Sequence, residues 1–297
     1  MSRRATLAAV VACLLWSAAF VFVKTALQFL PPFSLGGVRF LLAGLLLAPL
    51  ALPFFGRTKW TKAALATVAL SAVFQTFLQY GLFIWGMNLA RGAQSAIIVG
   101  ASPLVAALLA HFLMAGDRLT SRKLALIALG MAGVVLISLG SKPWKAAGLH
   151  ELAGLALLFA STSASALGNI VIARQKAPVH PVALNALQMF LGGALLILLA
   201  LPTEGARPLP TAPAFWGALV CLAVISAAGF SIWFRLLRTV KVSDLNLWKF
   251  IIPVVGALLS WAFLPGEKPD AFSLAGMGCV ALAILFFFRR GGARASP

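Results

Sequence analysis

An all-α integral membrane protein, with ten transmembrane helices arranged as two inverted five-helix repeats, is the architecture this sequence predicts. Three observations carry that reading: the apolar content, a repeat at fixed spacing, and the placement of Lys and Arg. Of 297 residues, 62% are hydrophobic and only 10% are charged. Soluble chains carry about 25% charged residues, so the natural solvent here is a bilayer. Pro103 and Pro253 stand 150 residues apart. The same shift lays Val105 on Val255, Leu108 on Leu258, Gly116 on Gly266 and Asp117 on Glu267. A repeat of this kind divides the chain into an N-terminal five-helix unit, 1–147, and a C-terminal one, 148–297.

A spanning helix needs about 20 mostly apolar residues. Ten stretches qualify: Ala5–Leu27, Phe33–Phe55, Ala63–Asn88, Ala93–Met114, Ser121–Gly140, Leu149–Ala173, Pro181–Leu201, Ala212–Phe234, Asp244–Leu264 and Ala271–Arg289. Ser2-Arg3-Arg4 before the first run resembles a signal peptide. The run continues to Leu27, however, so an uncleaved first helix is expected. Continuous apolar runs exclude the alternating pattern of a membrane barrel. Short connections rich in Pro, Gly and charge, such as Pro202–Pro213, leave no room for a soluble domain.

With the N-terminus in the cytoplasm, Arg91, Lys142, Lys145, Arg207 and Lys268 are the bases left outside, and most of the other Lys and Arg fall inside. This bias sets the orientation and places both termini in the cytoplasm. Five spans per repeat is an odd number, so the second copy enters the membrane upside down. Inverted repeats mark transporters that rock around a site near the midplane. The net charge of +18 sits in loops between apolar runs, and the expected partner of these bases is the membrane surface, not nucleic acid.

Candidate substrate-cavity residues are polar or aromatic groups placed in apolar runs. Trp16, Phe20 and Lys24 share one helix face, with Ser17 beside them. Gln75 and Gln79 stand at i, i+4, followed by Tyr80; Ser102 precedes Pro103. Thr162, Ser165 and Asn169 share a face, Asn185 and Gln188 lie in the seventh run, and Asn246, Trp248 and Lys249 lie in the ninth. Amides and hydroxyls in hydrocarbon are costly unless paired, so these faces should point inward. Helix-to-helix hydrogen bonding is the ordinary alternative for such groups. Pro103 and Pro253 each remove a backbone donor, which makes them a matched pair of kink or hinge candidates.

Arg39 lies near the end of its run, where an arginine usually snorkels to the interface; a role in attracting an anion is the other reading. His111 is expected to be packed or interfacial. All six acids, Asp117, Glu151, Glu204, Asp244, Glu267 and Asp270, fall at loops or helix ends. Carboxylate-coupled cation antiport is therefore disfavoured. A cationic solute would have to rely on aromatic faces such as Trp16, Phe20, Phe74, Tyr80 and Trp85. Cys13, Cys221 and Cys279 lie in apolar runs and are expected as buried free thiols. No nucleotide loop, metal-ligand cluster or nucleophile–base set is present, and no cofactor is expected.

The chain resembles the EamA-type branch of the drug/metabolite transporter superfamily. The resemblance rests on Leu15-Trp16-Ser17-Ala18-Ala19-Phe20 with Lys24, on Pro32 followed by Arg39-Phe40, on Ala101-Ser102-Pro103, and on Gly116-Asp117-Arg118 or Gly266-Glu267-Lys268 closing each half. It implies a ten-helix inner-membrane carrier of metabolites, amino acids or drugs, often working outward. Its central cavity would be lined mainly by helices 1, 3, 4, 6, 8 and 9. Two positions depart from the family pattern. Asp117 replaces a glutamate, and Ser165 stands where a tryptophan often precedes Ala166-Leu167-Gly168-Asn169. The expected function is export of a small organic solute by alternating access. A passive channel-like facilitator and a membrane-embedded enzyme are the alternatives, and the oligomeric state is left open.

Overall fold

The computed structural model describes residues 1–90, 93–141, 148–175, 179–263 and 269–289, with the side chains of Phe20, Ala93, Gln94, Gly140, Ser141, Ser260, Phe263, Phe288 and Arg289 outside that set. Every regular element among the described residues is helical. The helices are α1 (Arg3–Ala26), α2 (Pro32–Phe55), α3 (Lys62–Leu89), α4 (Ala93–Gly100), α5 (Ser102–Leu113), α6 (Ser121–Ser141), α7 (Leu149–Ala173), α8 (Pro181–Glu204), α9 (Pro213–Leu237), α10 (Val242–Asn246), α11 (Ile251–Phe263) and α12 (Ala271–Arg289). A 3-10 turn, Leu247–Phe250, joins α10 to α11. Proline opens α2, α8 and α9, where its missing N–H would be unpaired in any case.

Eight stretches among the described residues are long and apolar enough to cross a membrane, with Val242–Leu259 taken as one; Ser102–Leu113 and Ala271–Phe287 are shorter apolar helices. The fourth apolar run is thus cut in two, contrary to the expectation of one continuous helix. Ala101 interrupts it, and Pro103 stands in the first turn of α5. Pro253 likewise falls in the first turn of α11, just after the 3-10 turn. Proline cannot donate to the carbonyl four residues back, so each apolar run restarts as a new helix around it.

The helices pack as antiparallel pairs. Phe33 at the start of α2 meets Glu204 at the end of α8, and Phe54 at the other end stacks on His180 at a ring separation of 3.5 Å. Midway, a Cβ on Gly193 would come within 2.9 Å of Gly37 O, so the two backbones touch where neither residue has a side chain. α6 runs against α12 in the same manner, crossing at Gly133 and Gly276, with Arg122 donating to Phe286 O at 2.6 Å. α1 pairs with α9 through Trp16–Phe230 and Phe29–Phe215. α3 pairs with α7 through Gly86–Gly154 and Gln75–Gly168. The largest hydrophobic cluster gathers α1, α2, α8 and α9 around Phe40, Met189, Trp233 and Phe234. Leu45, Leu50, Leu52 and Phe112 lie exposed on outward faces, as hydrocarbon contact requires.

Candidate functional site

Most of the predicted cavity residues line the inner faces of α1, α3, α7 and the α10–α11 stretch. Trp16 packs on Phe230 at 5.3 Å and on Trp233 at 5.0 Å, and its indole N–H is buried with no acceptor. Lys249 Nζ lies 5.3 Å from the Trp233 ring centroid, so Trp233 joins these two predicted residues. Gln75 Oε1 lies over Gly168, one residue from Asn169. Asn169 Nδ2 reaches Asn246 Oδ1 at a long 3.4 Å, and Asn246 Nδ2 returns to Val242 O at 2.8 Å. Gln75 Oε1, Gln79 Oε1 and Asn169 Oδ1 are buried acceptors without a donor. Four of the twelve predicted side chains therefore carry a buried, unpaired polar atom. Such atoms are rare in folded proteins and are retained where water or a ligand completes them.

Other predicted residues do different work. Ser17 is fully buried and donates to Cys13 O at 2.9 Å and Ile252 O at 3.4 Å, tethering α1 to the residue before Pro253. Thr162 bonds back to Phe159 O at 2.8 Å within its own helix. Ser165 is buried on α7, and Ser102 is half-buried at the start of α5, beside the break. Tyr80 sets its ring edge-on against Phe40 at 4.5 Å. The Phe20 backbone lies in α1, and its side chain lies outside the described residues. Trp85, expected to offer an aromatic face, is 54% exposed on the outer surface and cannot line a cavity between helices. Of the cysteines, only Cys13 is buried. Cys221 and Cys279 are half-exposed on helix faces, because a thiol is apolar enough to face lipid.

Arg39 corrects the snorkelling expectation. It is 7% exposed and donates from Nε to Ser226 Oγ at 2.8 Å. Its guanidinium stands 5.0 Å from the Phe40 ring and 5.8 Å from the Tyr80 ring. A second buried polar string crosses from α3 to α9. Thr76 donates to Gln188 at 2.6 Å, Gln188 to Asn185 at 2.9 Å, and Asn185 to Ser231 at 2.9 Å. Thr76, Ser226 and Ser231 were not singled out by sequence reasoning. One signal was present: the 150-residue shift lays Ser226 on Thr76.

At one end of the bundle Asp117 caps α10. It accepts from Ser243 N–H at 2.9 Å and from the Ser243 hydroxyl, while Lys123 bridges Asp117 at 3.0 Å and Asp244 at 2.8 Å. Burial pushes the Asp117 carboxyl up, but the Ser243 and Lys123 hydrogen bonds outweigh it and hold it below its ordinary value. At the start of α2, Glu204 accepts from Phe33 N–H, Ser34 N–H and the Ser34 hydroxyl at 2.6 to 2.8 Å. His111 accepts from Leu119 N–H at 3.1 Å, a packed histidine as expected. Among the described residues no group of three His, Cys, Asp or Glu side chains could hold a metal. The interior offers unpaired amides, an indole N–H and two cations, which suits recognition of a solute better than bond-making chemistry.

The chain is similar to proteins named as transporters. A "Probable amino-acid metabolite efflux pump" of Salmonella typhimurium is 29% identical over 297 residues, covering 93% of this chain and 92% of its own. The "Uncharacterized transporter YvbV" of Bacillus subtilis is 27% identical, covering 88% and 83%. An "S-adenosylmethionine/S-adenosylhomocysteine transporter" of Chlamydia trachomatis is 26% identical, covering 88% and 82%. A solved crystal structure matches the whole of both chains with a TM-score of 0.82 at 19% identity, a likeness of fold. The model of the EamA-like transporter family matches residues 3–139 and again 152–289. This multi-pass membrane protein belongs to the EamA-like transporter family and is a transporter, not an enzyme.

Proposed function

We propose that the protein is a secondary carrier that exports a small organic solute across the cell's inner membrane by alternating access. It would use ten spans in two inverted halves, 1–147 and 148–297, with both termini cytoplasmic. One observation carries this reading. The bonds Thr76–Gln188 and Ser226–Arg39 exchange roles under the 150-residue shift: Ser226 replaces Thr76, and Arg39 on α2 answers Gln188 on α8, one residue out of register. The helix pairs follow the same rule, since α1–α9 and α7–α3 interchange while α2–α8 and α6–α12 map onto themselves. A pseudo-two-fold of this kind lets two arrangements of one fold open the same site to opposite sides. The family model's double match supports the halves, and the Lys/Arg bias supports the orientation.

The site is the interior around Trp16, Ser17, Phe20, Gln75, Gln79, Tyr80, Ser102, Thr162, Ser165, Asn169, Asn246 and Lys249, with the helix breaks at Pro103 and Pro253 as hinges. The test begins with purified protein in proteoliposomes and a solute panel of amino acids, S-adenosylmethionine, purines, polyamines and quaternary amines. A carrier shows saturation and counterflow of a labelled solute, whereas a passive pore shows neither. Trp16→Ala, Gln79→Ala and Asn169→Ala should each reduce transport about tenfold or more, with expression and insertion normal. Wild-type rates in all three would move the cavity elsewhere.

A further inference from the structure

Among the described residues Arg39 is the most deeply enclosed cation, and no described carboxylate pairs with it. It is 7% exposed, and Nε is its one nitrogen bonded within the described protein, to a neutral hydroxyl. Among the described residues the only ion pairs are those of Lys123 with Asp117 and Asp244. The aromatic faces of Phe40 and Tyr80 offer the charge only the weak attraction of their ring quadrupoles. That is far less than the cost of burying an uncompensated ion in hydrocarbon. The matching bond in the other repeat is different, and its polar residue stands one position out of register, beside Met189. Gln188 is neutral and fully buried, and it is bonded on both its oxygen and its nitrogen, to Thr76 and Asn185. On that side the protein closes its own polar string. On the Arg39 side the string ends in a guanidinium fork with donors left over.

We propose that Arg39, steadied by Ser226 and flanked by Phe40 and Tyr80, is the subsite for a carboxylate group of the transported solute. The inference rests on the carrier reading and adds the substrate's charge class to it. A guanidinium presents parallel N–H donors that match a carboxylate's two oxygens, and Ser226 holds Nε so that the terminal nitrogens keep one direction. A second cation, Lys249, stands over the ring of Trp233, and Trp233 itself lies two turns, about 10 Å, along the same face of α9 from Ser226. Trp16 lies between them, packed against Gly229, Phe230 and Trp233. The span suits a small organic acid, with its carboxylate at Arg39 and its apolar body against Trp16.

The test pairs binding with transport. The thermal midpoint of the full-length protein in detergent is measured with L-leucine, L-methionine and L-phenylalanine, each against its amide, and at low and high chloride concentration. The expected result is a stabilising shift by at least one acid and not by its amide. Arg39→Gln should abolish that shift, with affinity about tenfold or more weaker. Without ligand, the variant should be at least as stable as wild type, because an unpaired buried charge has gone. Equal shifts from acid and amide, acid binding retained by Arg39→Gln, or a clear loss of stability in the ligand-free variant would each overturn the subsite. So would an Arg39-dependent response to chloride that the acids do not compete with. Counterflow of neutral or cationic solutes alone defeats the subsite and leaves the carrier standing. Arg39-dependent acid binding without saturable flux does the reverse.

Discussion

Gln188 is a side chain whose loss can be predicted from its two bonds. Its oxygen accepts from Thr76 and its nitrogen donates to Asn185, both in a fully buried setting. Gln188→Ala leaves a hydroxyl and an amide oxygen unpaired, which costs about 1–3 kcal/mol. Equilibrium unfolding in mixed micelles should show that loss, and an unchanged midpoint would mean the string contributes nothing. Asn185 and Gln188 were legible in the sequence because amides inside apolar runs are conspicuous. Thr76 and Ser226 were not, because a hydroxyl in a membrane helix can bond its own backbone, as Ser226 does to Leu222 O at 2.7 Å. Arg39 misled for a related reason. Its distance from the helix end permitted snorkelling, and only the packing of α2 against α9 reveals that it turns inward.

At the scale of the helix, the ends carry the specificity. Glu204 reaches from the last turn of α8 to the first turn of α2 and satisfies Phe33 N–H, Ser34 N–H and Ser34 Oγ with one carboxylate. Those donors would otherwise be orphans, and the negative charge meets the positive end of the α2 dipole. Glu204→Ala should cost about 1–2 kcal/mol, on the scale of a lost helix cap. Glu204→Gln should recover part of it, since an amide oxygen still accepts. Equal stability of all three proteins in a thermal melt would show the clamp to be idle. Sequence placed Glu204 at a helix end but gave no partner, because the contact joins residues 170 apart. The π turn Ala72–Leu78 was equally illegible. An extra residue per turn is selected by what packs against it, here Gln188 and Gly168, and leaves no periodic mark. Pro103 and Pro253, the kink or hinge candidates, stand in the first turns of α5 and α11.

Over the whole molecule, the apolar helices were visible in sequence, because bilayer solvation writes them into composition. What ties distant helices to one another was not, since it depends on single polar contacts between far-separated segments. Asp117, in the loop after α5, caps α10 through Ser243, 126 residues away, and Lys123 binds Asp117 and Asp244 together. This joint lies on the cytoplasmic side in the proposed orientation. The Asp117 carboxyl is held below its ordinary 3.8, so the unfolded chain takes up its proton first as the pH falls. Its stabilisation is therefore complete at pH 7, begins to fade near pH 4, and is gone once the pH drops through the depressed native value. Asp117→Asn should melt below wild type at pH 7, and the gap between the two should narrow as the pH falls from 7 to below the ordinary carboxylate value. Thermal melts across that range decide it: a gap that stays constant means that the joint is held by shape and not by charge.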